Sequence, residues 1–226
     1  TWNVQKCGHS GSFLISEILP MAGGMIRATE TKGLDTMDKS KIYTAEMAAR
    51  AMADQILRGN RYAERFHIEV PEGIERIDDY AFDNLFVMNI SLPSTLREIG
   101  DYAFRNTPFH NLICPPELRS IGKGAFWRCE YIKNIRFNDK LEFIGEDAFF
   151  HCYSSGVVIP KSVKVIEKGA FYGGIDKEDD GIYKIILEAE PDFVFDKNVS
   201  DYFSYKDGKL EFHERPEGLM WKSVYC

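Results

Sequence analysis

Apolar residues recur at a fixed interval through the middle of this chain. The dipeptide Ala-Phe occurs five times, at successive steps of 22, 22, 23 and 22 residues, and an isoleucine stands five residues before each phenylalanine. A regular period of this length is typical of a solenoid of stacked structural repeats. The paired apolar positions are Ile77 and Phe82, Ile99 and Phe104, Ile121 and Phe126, Ile144 and Phe149, and Ile166 and Phe171.

A short run of alternating apolar and polar residues precedes each isoleucine. In the first repeat, Ile68 and Val70 enclose Glu69, and Pro71 follows. Alternation predicts a strand, and proline ends the pairing because it has no N–H group to donate. Each repeat is therefore expected to contain a strand, a turn, a second extended piece and a tight corner at Ala-Phe.

Units of this size have to stack, because about 22 residues cannot bury isoleucine, leucine and phenylalanine by themselves. Equivalent positions of neighbouring units are then expected to lie over one another, with the phenylalanines forming an internal column. The strands would run parallel, about 4.8 Å apart, in a sheet along one side of a curved ladder. The predicted fold class is an α/β-type repeat solenoid with a parallel sheet, few helices and irregular ends.

The repeat has a specific signature, shown by the segment Leu96-Arg-Glu-Ile99-Gly-Asp-Tyr-Ala103-Phe104. This signature resembles the BspA-like leucine-rich repeat family, a bacterial and protist variant of the leucine-rich repeat, and the resemblance covers about residues 66–175. It implies a right-handed leucine-rich-repeat ladder. It also implies secretion or display at the cell surface, with a role in attachment or in recognition of host or matrix proteins.

The period divides the chain into three regions: an N-terminal segment (1–65), five repeats (66–175) and a C-terminal cap (176–226). Segments that break the period are expected to cover the exposed core at each end. Thr44 predicts the start of a capping helix at about 45–58, and Gly59 its end. Residues 1–43 could be a degenerate repeat, a separate small module or the remnant of a larger domain. In the C-terminal region an acidic loop precedes Asp207-Gly208, which predicts a β-hairpin.

Charge and hydropathy exclude some classes of partner. The formal charge is −7 and the pI is about 5.3, which disfavours a partner made mainly of phosphate backbone. The longest apolar stretch, 13–26, is broken by Glu17, Pro20 and two glycines, and it is shorter than the roughly 20 residues of a membrane helix. We therefore expect no nucleic acid and no membrane span. Because the first residue is Thr1 rather than Met, the start of the chain is expected to have been trimmed.

Candidate catalytic and metal-binding motifs are incomplete. Residues Gly8-His9-Ser10-Gly11-Ser12 faintly resemble a hydrolase nucleophile elbow, but Ser12 stands where the second glycine belongs and the strand–turn–helix context is missing. Cys7 lies next to this segment without a nearby set of partners. An acidic stretch at 176–181 resembles the start of a calcium loop, but Leu187 stands where the bidentate glutamate belongs. The sequence therefore predicts no catalytic residue, no metal and no cofactor.

Cys129 and Cys152 occupy the same slot of adjacent repeats, three residues after the phenylalanine. A disulfide between them is geometrically conceivable. Other repeats carry Leu85 and Thr107 in this slot, so buried free thiols are the favoured alternative.

A binding face is expected where the strands point residues outward between two buried positions. The mixed character of this row suits a protein partner better than a polyanion, although these positions could also be simply solvated. Phe143 and Trp127 are added as candidate aromatic anchors, and each could instead pack under the adjacent turn. The predicted row consists of Glu69, Ser91, Ile113, Arg136 and Val158.

The repeats and the incomplete motifs together predict a non-enzymatic protein-binding solenoid. Adhesion to, or recognition of, a host, matrix or partner protein is the expected function. One alternative is that the repeats serve as a scaffold for an enzymatic or sensory N-terminal or neighbouring domain. Another is that they form a structural spacer within a longer surface protein.

Overall fold

The computed structural model describes residues 38–59, 66–108, 110–154, 156–173, 185–188, 194–195 and 202–214. Within these ranges the chain has one α-helix, α1 (Ala45–Leu57), which follows a 3-10 turn at Lys39–Lys41. In chain order the strands are β1 (Ile42–Tyr43), β2 (His67–Glu69), β3 (Arg76–Ile77), β4 (Asn89–Ser91), β5 (Glu98–Ile99), β6 (Asn111–Ile113), β7 (Ser120–Ile121), β8 (Asn134–Arg136), β9 (Phe143–Ile144), β10 (Val157–Ile159), β11 (Val165–Ile166), β12 (Ile185–Leu187), β13 (Val194–Phe195), β14 (Tyr202–Lys206) and β15 (Lys209–His213).

Each repeat contributes one three-residue strand and one two-residue strand, and these build two separate sides of a β-solenoid. The two-residue strands form an eight-stranded sheet in the order β1-β3-β5-β7-β9-β11-β14-β15. Its strands are parallel from β1 to β11, and β14 and β15 then join in antiparallel orientation. The predicted solenoid of stacked parallel strands is confirmed.

The three-residue strands correct one detail of the prediction. They are parallel, but they pair in groups, β2 with β4, β6 with β8, and β10 with β12, instead of forming one sheet. The short strand β13 adds to β12 in antiparallel orientation. The continuous sheet lies at the second extended piece, where the amide of Arg97 donates to the carbonyl of Glu75 and that of Arg119 donates to Arg97. This hydrogen-bonded ladder passes through every repeat because the isoleucine slot has the same register throughout.

The core is a column of stacked aromatic rings beside a column of isoleucines. Ring centroids of successive phenylalanines from Phe82 to Phe171 lie 4.9, 5.1, 5.2 and 5.3 Å apart, and the ring planes are nearly parallel. Tyr43 extends the column at one end and Phe203 at the other. All ten predicted core residues are almost completely buried: Ile77, Phe82, Ile99, Phe104, Ile121, Phe126, Ile144, Phe149, Ile166 and Phe171.

Left-handed backbone shapes the Ala-Phe corner of each repeat. The residue two positions before each phenylalanine has a φ of 54 to 70°, and in four repeats the residue two positions after it has a φ of 54 to 57°. These conformations let the corner turn sharply, so that the amide of Phe82 donates to the carbonyl of Ala103 in the next repeat, with 2.7 Å between N and O. The left-handed residues are Tyr80, Tyr102, Gly124, Asp147 and Gly169 before the phenylalanine, and Asn84, Asn106, Arg128 and His151 after it.

The two ends close the solenoid differently. At the N-terminal end, the Thr44 hydroxyl accepts a hydrogen bond from the amide of Met47, and α1 buries Ala48 and Met52. At the other end, β14 and β15 form the hairpin that the sequence predicts around Asp207 and Gly208, both of which have positive φ, as a type I′ turn requires. The acidic loop at 176–181 and residues 1–37 lie outside the described residues.

Candidate binding face

The outward positions of the three-residue strands form what we call the ladder row. All five predicted residues are exposed, and most of the flanking apolar residues, such as Ile68 and Leu112, are buried. Ile113 is 67% exposed and Val158 47% exposed, on either side of Arg136. The alternation that placed these residues outward therefore describes their exposure correctly. The ladder row consists of Glu69, Ser91, Ile113, Arg136 and Val158.

A second exposed column runs beside the ladder row, two residues earlier in each strand. Two of its members are linked along the solenoid, because Asn134 Nδ2 donates to Asn111 Oδ1 over 2.8 Å. His67 Nε2 lies 3.2 Å from Oγ of Ser91, a residue of the ladder row in the next repeat. This column was not predicted from the sequence, although asparagine recurs there in three consecutive repeats. We call it the asparagine column, and it consists of His67, Asn89, Asn111 and Asn134, which are exposed, and Gly156, which is half-buried.

Aromatic residues stand three positions before the asparagine column in three of four successive repeats. The equivalent positions of four repeats are Phe86, Pro108, Tyr131 and Tyr153, which we call the aromatic rim. Phe86 and Tyr131 are each 55% exposed. The ring of His110 lies 6.0 Å from that of Tyr131. Two broad apolar surfaces are therefore open to solvent beside the row of amides.

The two predicted aromatic anchors do not belong to this face. Phe143 lies in β9 of the eight-stranded sheet and is half-buried, so it is on a different side from the ladder row. Trp127 is also half-buried, because its ring stacks on Phe150 at 5.6 Å while the Arg128 guanidinium covers it. The expectation that Phe143 shares the face with Arg136 is wrong. It treated β8, which carries Arg136, and β9, which carries Phe143, as parts of one sheet, whereas they belong to two different sheets.

The side formed by the eight-stranded sheet carries many charged residues, and most of them form ion pairs with one another. Glu142 accepts hydrogen bonds from Arg119 at 2.8 Å and Lys164 at 2.7 Å, and Glu75 contacts Lys41 at 2.6 Å and Arg97 at 3.5 Å. The Lys164 hydrogen bond and charge hold the pKa of Glu142 below its usual value. Because most of these charges are already paired, this side offers little net attraction to a charged partner.

A comparison with known families decides the nature of the repeat. The BspA type leucine rich repeat region matches residues 62–176 in six copies. The chain belongs to the BspA-type leucine-rich repeat family. The six copies are one more than the number of Ala-Phe corners in the sequence.

Solved structures similar to this BspA-type chain include two that are described as leucine-rich proteins. The pneumococcal vaccine antigen PcpA is 24% identical over 64% of this chain and 33% of its own, with a TM-score of 0.47. A leucine-rich cell surface protein of Faecalibacterium prausnitzii is 18% identical over 66% of this chain and 45% of its own, with a TM-score of 0.45. A leucine-rich repeat protein from Bacteroides ovatus is 20% identical over 59% of this chain and 47% of its own, with a TM-score of 0.31. The chain thus spans less than half the length of each, and no curated protein matches it.

The cysteines of the BspA-type repeats are structural. Cys129 and Cys152 are free and completely buried. The Cys129 thiol donates to the carbonyl of Phe104 at 2.9 Å, and that of Cys152 to Phe126 at 3.1 Å, as the Thr107 hydroxyl does to Phe82. Burial raises the pKa of the Cys129 thiol to about 12. These contacts account for a small hydrogen-bond donor in this slot, and the favoured prediction of buried thiols is confirmed.

The remaining chemical candidates give no further site in the described ranges. Ser204 Oγ and His213 Nε2 lie 2.6 Å apart and join the two strands of the hairpin, beside a cavity of about 560 Å³. Among the described residues, no group of three or more His, Cys, Asp or Glu side chains could hold a metal, and no helix could cross a membrane. The residues Cys7, His9 and Ser10 lie outside the described ranges.

Proposed function

We propose that this chain is a non-enzymatic interaction solenoid that binds another protein through the ladder row. The observation that carries the proposal is that the same slot is exposed in five successive repeats, with Glu69 opposite Ser91 and Ile113 opposite Arg136 on paired parallel strands above a packed core. A surface of this kind presents its side chains at fixed positions, which lowers the entropy lost when a partner binds.

The chemistry of the ladder row favours a protein partner. Ile113 and Val158 are exposed apolar residues, and Arg136 between them is of the type that is enriched in interface centres. Glu69 at one end carries the opposite charge. A row with both signs of charge and exposed apolar side chains matches the mixed surface of a protein better than the uniform charge of a polyanion.

We also propose that the protein is secreted or displayed at a cell surface and acts there in adhesion or recognition. Membership of the BspA-type family supports this location. In the alternative proposal the repeats are a scaffold for an enzymatic or sensory segment, located in residues 1–65 or in a neighbouring domain. Loss of an activity on substitution of Cys7, His9 or Ser10 would support that alternative.

The test is binding of the purified chain to a panel of extracellular-matrix and cell-surface proteins. We expect saturable binding that Arg136→Glu weakens by at least about tenfold, which corresponds to roughly 1.4 kcal/mol. The matched control is Lys164→Glu, an equivalent charge reversal at an exposed residue of the other sheet, and it should leave binding unchanged. Absence of binding, or equal weakening by both variants, would contradict the proposal.

A further inference from the structure

The asparagine column and the aromatic rim have a composition that protein binding through the ladder row does not require. Asn89, Asn111 and Asn134 are exposed on three successive repeats. The rings of Phe86 and Tyr131, three positions before an asparagine of the column, are also exposed. We propose that this strip binds an uncharged polysaccharide chain that lies along the axis of the solenoid. The proposal adds a ligand of a second class, which is recognised by slots other than the ladder row.

The amides of the column have the hydrogen-bonding capacity that sugar hydroxyls need. An asparagine side chain has two N–H donors and a carbonyl acceptor with two lone pairs. The hydrogen bond between Asn111 and Asn134 uses one donor and one lone pair, which leaves groups of both kinds on each side chain. A hydroxyl both donates and accepts, so it can bond to either end of an amide.

The spacing of the repeats favours a sugar chain over an extended peptide. Equivalent rings of neighbouring repeats lie 4.9 to 5.3 Å apart in the core, and the pairing of β6 with β8 places Asn111 directly opposite Asn134. An extended peptide rises only about 3.2–3.4 Å per residue, so its groups would lose register with the column. One hexopyranose unit of an equatorially linked chain is close in length to one repeat. Successive units of a β-1,4-linked chain are turned over, so equivalent hydroxyls would meet the amides of every second repeat.

The aromatic rim supplies surfaces on which sugar rings can pack. The faces of a hexopyranose carry C–H groups, which are attracted to the negative face of an aromatic ring. Phe86 and Tyr131 are two repeats apart along the rim, and the position between them is filled by the buried Pro108. A chain lying over the amides would therefore meet the exposed rings of Phe86 and Tyr131, and in the repeat after Tyr131 the half-buried ring of Tyr153.

The strip also has little charge. The asparagine column and the aromatic rim contain no Asp, Glu, Lys or Arg, and the slot between them contributes the exposed Lys133. The eight-stranded sheet, in contrast, carries paired charges in nearly every repeat. A neutral ligand avoids the cost of desolvating a charge without a partner, so an uncharged polysaccharide fits this strip better than an acidic one.

The experiment measures binding of the whole chain to β-1,4-linked gluco- and manno-oligosaccharides, from disaccharide to hexasaccharide, by titration calorimetry. We expect affinity to rise with each added sugar across the asparagine column. The double variant Asn111→Ala, Asn134→Ala and the single variant Tyr131→Ala should each weaken binding of the hexasaccharide by at least about tenfold. These side chains are exposed, and an unchanged thermal unfolding midpoint will show that the variants are folded.

Arg136→Glu separates this inference from the proposed protein binding, because it alters the ladder row and leaves the amides and the rim intact. We expect it to retain oligosaccharide binding. The inference is overturned if no oligosaccharide binds, if affinity does not depend on chain length, or if the asparagine and tyrosine variants bind as well as the wild type. If protein binding still depends on Arg136 in that case, the proposed function stands without this inference.

Discussion

At the scale of single residues, the close approach of neighbouring repeats explains a glycine that follows the core isoleucine in three of them. A Cβ atom on Gly122 would lie 2.8 Å from the backbone of Gly100, and one on Gly145 would lie 2.7 Å from the backbone of Gly122. The contacting atoms belong to the main chain and cannot rotate away. These glycines therefore permit the backbone spacing of the stack.

Gly122→Ala should lower the free energy of unfolding by about 1–3 kcal/mol, because inserting a methyl group into a packed site forces the backbone apart. Urea denaturation followed by circular dichroism measures the loss. Ser91→Ala, at an exposed position of the ladder row, is the control and should change stability by less than about 0.5 kcal/mol. Equal stability of the two variants would show that the repeats can separate without cost.

A buried carboxyl, Asp147, makes part of the stability depend on pH. Burial, followed by the nearby charge of Glu146, raises its pKa from 3.8 to about 6, and its Oδ1 atom has no hydrogen-bond partner among the described residues. Because the folded state holds this proton more tightly than the unfolded state does, its contribution is present below pH 3.8 and is lost as pH rises to about 6.

Asp147→Asn removes this charge and keeps a side chain that tolerates the left-handed backbone at this position. We expect the variant to be more stable than the wild type at pH 7, with the difference shrinking as the pH is lowered through 6 toward 3.8. Denaturation midpoints of both proteins across this range are the measurement. A difference that is independent of pH would rule out titration of Asp147 as the cause.

At the scale of elements, α1 and β1 act together as the N-terminal closure of the stack. Tyr43 of β1 stacks on Phe82 with 5.4 Å between ring centroids, and α1 places Ala48 and Met52 in the core. Thr44 links the two elements and accepts a hydrogen bond from the Met47 amide at the first turn of the helix. Thr44 therefore connects the first turn of α1 to the strand whose tyrosine covers Phe82.

Thr44→Ala should destabilise the protein by about 1 kcal/mol, because the hydroxyl that satisfies an unpaired helix amide is removed. Thr44→Ser retains the hydroxyl and should cost much less. The measurement is the shift in thermal unfolding midpoint for both variants. Equal shifts for alanine and serine would mean that the methyl group, and not the hydrogen bond, is what matters at this position.

At the scale of the whole molecule, the repeats form a linear stack in which each repeat contacts only its neighbours. Each central repeat buries its isoleucine and phenylalanine between two neighbours, whereas the first and last units have a repeat on one side only. The stability of such a stack depends on each repeat and on its contacts with the adjacent repeats. Local opening is therefore expected to begin at the ends.

Hydrogen–deuterium exchange followed by mass spectrometry should show this gradient. Backbone amides of β5, β7 and β9 should exchange most slowly, and those of α1 and β15 should exchange faster once intrinsic rates are corrected for. The difference should persist when exchange is measured well below the unfolding temperature. Uniform protection from α1 to β15 would instead indicate that the solenoid opens only as a single cooperative unit.

Much of this fold could be predicted from the sequence, because stacked repeats carry their tertiary contacts as a visible period. The recurrence of Ile99 and Phe104 in each repeat identifies the core columns, since a slot that is apolar in every unit is the one that neighbours bury. Alternation around Ile113 likewise shows which residues of the strand point outward. The sequence by itself therefore determined the solenoid, its core and the exposure of the ladder row.

Only the tertiary structure decided which exposed columns share a side and where the continuous sheet runs. Phe143 and Arg136 are close in sequence, yet they lie on different sides because the chain turns between β8 and β9. The asparagine column becomes a surface only when the strands pair and bring Asn111 against Asn134. The period of the sequence specifies which positions stack on one another. The angle between the two strands of a repeat depends on how the turns pack, and the residue type at any one position does not determine that angle.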